Sequence, residues 1–508
     1  MVVDPRRTES AAFADLWLGL NVGSDIALSH TMAREIMVSG LANDAFIANA
    51  TLGFDEYRAC VREWTLDRGE EVTGIPAAAI RELAHLYARA DRAILCWTLG
   101  ITEHHNAVDN VLSLINLGLL TGHVGRYGSG LNPLRGQNNV QGGGDMGAIP
   151  NKLPGFQDLE KDAAARAHFE EAWGVPITPK YGLTLTQMFE SMEHGDLRAL
   201  YVIGENPASS EADLTRARHL LETLDTLIVQ DIFMTRTAEM AHVVFPASVA
   251  AFETDGTVTN SERRVQRVRK ALDPPGNARD DIWIITELAR RLGFHWPDIT
   301  AESAWNELRS LSPMHRGMSY ARLDELGGIQ WPCPDEAHPG EKFLHARLWE
   351  KDPAKQGMKA PFSAVKDDPP VDQITEEFPL RLTTGRKLDS YNTGVQTRAF
   401  SSPLRDGEAI EISPYEARSL GVLDGERVRV VSRRGEVVAK VRIDSGLRPG
   451  LVFMTFHFPD EVETNRLTID ATDPKSGTAE FKAAAVRIER LTLDHAEPFP
   501  DGLQSTQA

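Results

Sequence analysis

Apolar positions in the first part of the chain recur mainly at helical spacing, broken by short β-type runs. From Ser24 the residues Ile26, Ala27, Met32, Ala33, Ile36 and Met37 share one helical face, and Gly40 stands where a C-terminal cap belongs. The spacing predicts a helix of about four turns there. Pro76 opens a second helix over residues 77–90. It leads into Ala93-Ile94-Leu95-Cys96-Trp97, which reads as a buried strand ending at Gly100, and a third helix passes through Leu112, Ile115 and Leu119. Helix, strand, helix in that order predicts a parallel sheet. The opening residues Val2-Val3-Asp4-Pro5 read as a strand running into a turn. In doubly wound nucleotide-binding domains an acidic residue at such a strand end accepts hydrogen bonds from a ribose, about 20 residues after a Gly-rich turn. An ordinary edge strand with a surface turn fits the spacing equally. Because a strand normally has about 5 residues, the sequence is expected to begin inside an element whose first βα unit is missing.

Residues 125–147 contain eight glycines around Arg135-Gly136-Gln137-Asn138-Asn139. This stretch is expected to form no packed element and to lie against a ligand. A second α/β unit follows, with strands at 199–203, leading to Glu205-Asn206-Pro207, and at 226–229, leading to Gln230-Asp231. Ligands of open parallel sheets sit beyond such strand ends. Residues 273–313 read as helical with Pro-rich breaks, and 333–379, rich in Pro, Lys and Asp, as a linker. Runs at 380–383, 427–431, 437–443 and 451–456 then recur at strand spacing, predicting a compact β-barrel with a short helix at 414–420.

At 508 residues the chain is too long for one core. No run approaches the roughly 20 apolar residues of a membrane span, and Arg6-Arg7 precedes polar residues, so no signal peptide is read. The net charge of -19 opposes a broad nucleic-acid surface. Cys60, Cys96 and Cys333 are too scattered for an iron-sulfur or zinc signature, and no metal ligand is assigned. GxSxG, HExxH and P-loop patterns are absent. Gly125, Gly128 and Gly130 form only a loose dinucleotide motif, after a helix where a strand should stand. His104 and His105 are expected at a helix start or on the surface. Arg135, beside bare backbone and amides, has the planar fork that clamps a carboxylate or phosphate, although a structural arginine is the commoner outcome on local grounds.

Residues 135–147, Arg-Gly-Gln-Asn-Asn-Val-Gln-Gly-Gly-Gly-Asp-Met-Gly, resemble the signature of formate dehydrogenase alpha subunits in the molybdopterin oxidoreductase, or dimethyl-sulfoxide reductase, superfamily. Further resembling blocks are Val-Val-Asp-Pro-Arg-Arg-Thr-Glu at 2–9, Leu-Leu-Thr-Gly-His-Val-Gly at 119–125, Ile-Val-Gln-Asp-Ile-Phe-Met-Thr at 228–235, Asn-Ser-Glu-Arg-Arg-Val-Gln at 260–266, Leu-Thr-Thr-Gly-Arg at 382–386 and Ala-Glu-Phe-Lys-Ala-Ala-Ala-Val-Arg at 479–487. The resemblance implies an α/β protein with Rossmann-like parallel-sheet domains and a C-terminal six-stranded double-psi-type β-barrel. The expected units are a partial α/β domain (1–137), a second α/β dinucleotide-binding domain (138–250), a helical and mixed region (251–335), a linker (336–378) and a molybdopterin dinucleotide-binding barrel (379–508).

It further implies two molybdopterin guanine dinucleotides around one molybdenum or tungsten ion, with formate and carbon dioxide as substrate and product. Asp4, Arg6, Gly23, Ser24 and Asp25 match positions that hold one guanosine. Leu99 and Gly100 match a strand end near the same cofactor, and Gln137 a position near pterin and metal. Asn206, Ser210, Gln230, Asp231 and Asp281 match the second dinucleotide's site. Arg386, Lys387, Ser390, Asn392, Asn465, Phe481 and Lys482 match barrel positions that close over the pterins. Arg135 matches the arginine that positions formate. Ser390 stands where many relatives have histidine, and Glu103 where some have glutamine.

Relatives begin with a cysteine-rich [4Fe-4S] domain and carry a cysteine or selenocysteine metal ligand followed by histidine. All of this is expected ahead of the point matching Val2, so the chain reads as truncated. Electrons would leave through the cluster to partner subunits or a carrier, and the expected location is cytoplasmic. The competing reading is a non-catalytic cofactor-binding fragment or one half of a split enzyme.

Overall fold

The computed structural model describes residues 1–250, 252–387, 390, 392–393 and 407–491; the last part of the unit expected over 379–508 lies outside these. Val2–Val3 pairs in parallel with Trp17–Leu18, and Ile94–Trp97 in parallel with Gly130–Pro133. The helix Asp25–Val38 packs against both Ala77–Arg89 and Ala107–Thr121, and Ala107–Thr121 also lies against Gly130–Pro133. Their inward faces supply Ile36, Ile80, Leu83, Leu117 and Leu120 to one core. Burying each such side chain contributes roughly 1.5–3 kcal/mol.

Three expectations are corrected in this domain. Cys96 is not buried: alternation along Ile94–Trp97 turns Leu95 onto the core and leaves Ile94 and Cys96 exposed, because the helices cover only one face of this strand pair. Leu99 and Gly100 do not end the strand but begin the helical turn Leu99–Thr102. The glycine-rich stretch is not irregular throughout, since it contains the strand Gly130–Pro133 and the helix Val140–Asp145. Its glycines hide both elements from a hydrophobicity pattern while permitting close packing. A Cβ on Gly142 would stand 1.9 Å from Asn139 Oδ1, and one on Gly144 3.3 Å from Phe156.

The second α/β unit has three parallel strands in the order Val243–Pro246, Thr226–Asp231, Ala199–Ile203. Helix Leu214–Glu222 buries Leu214, Ala217, Leu220 and Leu221. An antiparallel hairpin, Gly256–Thr259 with Arg264–Val268, continues to Ile329–Gln330 and packs on Trp305 and Met318.

Residues 346–363 run back along the first domain as a strap. Leu348 and Phe362 enter its core, Ala360–Pro361 pairs in parallel with Thr51–Leu52, and the Asn116 side chain both donates to Ser363 O (2.8 Å) and accepts from Ser363 N (3.0 Å). The C-terminal domain is a closed six-stranded barrel in the order Leu380–Thr384, Leu451–Met454, Ala409–Ile412, Glu436–Ile443, Arg427–Val431, Ala484–Arg490, with one helix at Pro414–Leu420. Alternating valines and isoleucines fill its interior.

Candidate functional site

The ends of Val2–Val3 and Ile94–Trp97 meet the barrel at a cavity of about 1150 Å³, large enough for a dinucleotide. Asp4, Arg6, Asp25, Gly100, Arg386 and Lys387 all line it. Asp4 Oδ1 accepts from the Arg6 backbone N–H at 2.8 Å, a turn that sends the Arg6 guanidinium over the Phe453 ring, 3.4 Å from its centroid. Burial pushes the Asp4 and Asp25 carboxyls above their ordinary range. Glu411, a barrel residue absent from the expected site, collects three of the cavity's cations: Arg6 at 3.0 Å, Lys387 at 2.7 Å and Arg442 at 3.4 Å. Gly23 precedes the Asp25–Val38 helix with φ +81, and a Cβ there would stand 2.4 Å from Pro370 Cγ.

Around Arg135, backbone and side-chain bonds fix the loop from several directions. Its N–H donates to Ser261 Oγ (2.9 Å), while Nε and Nη2 donate to Gln141 Oε1 at 3.3 and 3.2 Å. Gln137 Nε2 donates to Asn392 Oδ1 (2.7 Å), which also accepts from Arg386 Nε (2.9 Å). Asn392 adopts φ +45, and its carbonyl lies 2.6 Å from His457 Nδ1; His457 Nε2 in turn accepts from the Lys387 N–H at 2.9 Å. Ser390 N donates to Lys387 O. The loop bearing Arg135 and Gln137 thus meets the barrel turn bearing Arg386, Lys387, Ser390 and Asn392.

Lys482 is buried and donates to Thr384 O (2.8 Å), with its ammonium 2.9 Å from Glu103 Oε2. Phe481 O accepts from Thr384 Oγ1. Of the two expectations for the histidine pair, the helix start holds, since Ala107 N donates to His104 O at the head of Ala107–Thr121, and the surface location does not. His104 is fully buried and His105 mostly so, both with Nδ1 against Glu480 Oε1, at 3.3 and 3.1 Å. Burial works to raise the Glu480 carboxyl, but the two imidazoles outweigh it and hold the group at about 2. Glu480 stands in the 479–487 block, but nothing in the local sequence joins it to histidines so far away, so its pairing with them was not legible there.

The second cluster forms at the carboxyl ends of Ala199–Ile203 and Thr226–Asp231. Asn206 Oδ1 accepts from Thr237 Oγ1 (2.8 Å) and N (3.2 Å), and Ser210 Oγ donates to Glu205 (2.7 Å). Gln230 is fully buried, accepting from Tyr201 and donating to Asp281 at the head of the helix Asp281–Arg291. Asp231 Oδ1 caps the N–H groups of Ile232 and Phe233. Asn465 brings the barrel to this cluster by donating to Ser210 O (2.9 Å). The two clusters are therefore separate, each roofed by a different part of the barrel.

Each cluster also holds a buried polar atom without a hydrogen-bond partner among the described residues: Arg6 Nε in the first and Asn465 Oδ1 in the second. Such atoms are costly unless a ligand satisfies them. One large cavity faced by cations, a second strand-end cluster and an orphaned polar atom at each fit a pair of phosphate-bearing dinucleotides. Sequence reading missed Glu411, Glu480, Gln141 and Asp145; the last two stand in the 135–147 string at helical i, i+4 spacing.

Known proteins resemble this chain along nearly its whole length. The molybdopterin oxidoreductase family model matches residues 1–291, and the molydopterin dinucleotide binding domain matches residues 380–485. The chain is 43% identical over 497 residues to F420-dependent formate dehydrogenase 2 subunit alpha of Methanococcus maripaludis, covering 97% of this chain and 72% of that one. It is 37% identical over 502 residues to formate dehydrogenase H of Escherichia coli, covering 98% and 69%. Acetylene hydratase from Pelobacter acetylenicus shares the fold, with a TM-score of 0.73 at 21% identity, over 96% of this chain and 73% of that one.

Proposed function

Because this chain belongs to the molybdopterin oxidoreductase family, among the formate dehydrogenase alpha subunits, we propose that it oxidises formate reversibly to carbon dioxide while holding two molybdopterin guanine dinucleotides around molybdenum or tungsten. The bound metal centre supplies the two-electron chemistry; the protein binds, orients and tunes. In the first cluster, Asp4, Arg6, Gly23, Asp25, Leu99 and Gly100 hold one dinucleotide, with Arg386, Lys387, Ser390 and Asn392 closing from the barrel. Asn206, Ser210, Gln230, Asp231, Asp281 and Asn465 hold the other, while Gln137, Phe481 and Lys482 face the pterins.

Arg135 receives the formate carboxylate. It supplies positive charge in a chain of net charge -19, and its planar fork pairs with two carboxylate oxygens at once. The observation that carries this reading is the placement of Arg135 beside the Gln137–Asn392 contact, where the first domain and the barrel meet. The reading includes a sulfur or selenium ligand to the metal and a [4Fe-4S] cluster that passes electrons to a partner subunit or carrier. The test is formate-dependent dye reduction by the metal-loaded enzyme purified from its host. Arg135→Ala should abolish turnover or sharply raise the formate concentration required, and unchanged kinetics would remove the assignment.

A further inference from the structure

Behind Arg135 lies a buried polar chain that the reaction as described does not use. Gln141 and Asp145 occupy successive turns of the helix Val140–Asp145, so their side chains stack on one face. Gln141 is 7% exposed and Asp145 fully buried. Gln141 Nε2 donates to Asp145 Oδ1 at 2.8 Å, and Trp331 Nε1 donates to Asp145 Oδ2 at 2.9 Å.

An amide has one accepting and one donating end, and Asp145 decides which faces Arg135. A carboxylate accepts only, so the Gln141 amino group must turn toward it and the carbonyl oxygen must turn away. That oxygen receives Arg135 Nε and Nη2 together. With one N–H of each nitrogen committed, the guanidinium plane is set, and the Nη1 N–H groups and the second Nη2 N–H lie outside both bonds. Were the amide reversed, its N–H groups would confront the guanidinium donors, and no hydrogen bond could form.

We propose that Gln141 and Asp145 are positioning residues for Arg135: Asp145 orients the Gln141 amide, and Gln141 holds the guanidinium in the attitude that receives the substrate carboxylate. The proposal rests on the reading of Arg135 as the formate-binding arginine. Burial pushes the Asp145 carboxyl upward, opposed by the hydrogen bonds from Gln141 and Trp331 and by the charge of Arg135. His315 stands behind, its Nε2 4.0 Å from Asp145 Oδ2 and its Nδ1 2.7 Å from Ser312 Oγ. Burial drives His315 to about 4, so it stays neutral and does not compete with Arg135 for the carboxylate.

Asp145→Asn is the sharpest probe because it keeps size and removes only the acceptor-only character. Gln141→Met keeps length but removes the amide, and it serves if the buried Asp145 variant fails to fold. In the metal-loaded holoenzyme each should raise KM for formate about tenfold, as expected for loss of a charge-assisted hydrogen bond, with kcat changing less than about threefold. Calorimetric affinity for acetate, a carboxylate that the enzyme cannot oxidise in this way, should fall in step. Asp145→Asn added to Arg135→Ala should change KM no further, because the residue acts only through the arginine.

Wild-type KM in both variants, alongside a raised KM in Arg135→Ala, overturns the proposal and leaves the arginine assignment standing. So does a full additional effect of Asp145→Asn on the Arg135→Ala background. An unchanged KM in Arg135→Ala fells the arginine reading and this proposal with it.

Discussion

Gln137 Nε2 and Asn392 Oδ1 meet at 2.7 Å, and this hydrogen bond joins the Arg135 loop to the barrel. Asn392 Oδ1 also accepts from Arg386, so one oxygen both braces its own barrel turn and holds the loop. Asn392→Ala should therefore cost more than Gln137→Ala, with a coupling of about 0.5–1.5 kcal/mol in the double-variant cycle. Chemical denaturation gives the coupling. Metal and guanine nucleotide per chain should fall in the same order, and equal effects of the two single variants would contradict the shared role of Asn392.

Arg135→Lys separates charge from shape. Lysine retains the positive charge but not the two-pronged donor, and it cannot reproduce the paired bonds to Gln141. KM for formate should rise about tenfold or more while metal content stays at the wild-type level. A kinetic titration with elemental analysis of the same preparation checks both.

The Glu480 clamp carries a defined pH signature. Its carboxyl is held at about 2, below the 4.5 of a free glutamate. The stabilisation is complete above about pH 4.5 and is lost as pH falls toward 2; it amounts to about 3 kcal/mol. His105 is shifted upward, first by its hydrogen bond to Glu480, so its contribution is complete below its ordinary value of 6.5 and fades as pH climbs past the raised one. Glu480→Gln should lower stability most between these limits and converge on wild type in strong acid. Urea midpoints across the pH range give the curve, and a constant offset would contradict it.

Gly23→Ala tests the approach of the 364–379 segment to the first domain. The position needs a left-handed φ, and a Cβ would collide with Pro370. The substitution should cost about 1–3 kcal/mol and loosen the turn that presents Asp25 to the cavity. Thermal melting and retained nucleotide per chain measure the two effects.

Periodicity revealed elements whose side chains alternate or recur: Asp25–Val38, Ala77–Arg89 and four of the barrel strands fall where apolar spacing puts them, while Ala409–Ile412 and Ala484–Arg490 were not read as strands. It failed where glycine carries the structure. Gly130–Pro133 and Val140–Asp145 show little hydrophobic signal because backbone pairing and close packing hold them. Arg135 and Gln137 were legible because they stand within one contiguous string. Glu411, Glu480 and the burial of His104 were not, because each depends on a partner hundreds of residues away and on a charge satisfied only after the barrel docks.

The strap gives the molecule a tether. Leu348, Phe362 and the two hydrogen bonds between Asn116 and Ser363 moor it to the first domain, and only residues 364–379 separate that mooring from the barrel's first strand. A barrel on so short a lead stays at high effective concentration near its seat, so each lift is answered by rapid return. Whatever lies between them leaves slowly: retention becomes a matter of dissociation rate, set by leash length as much as by contact.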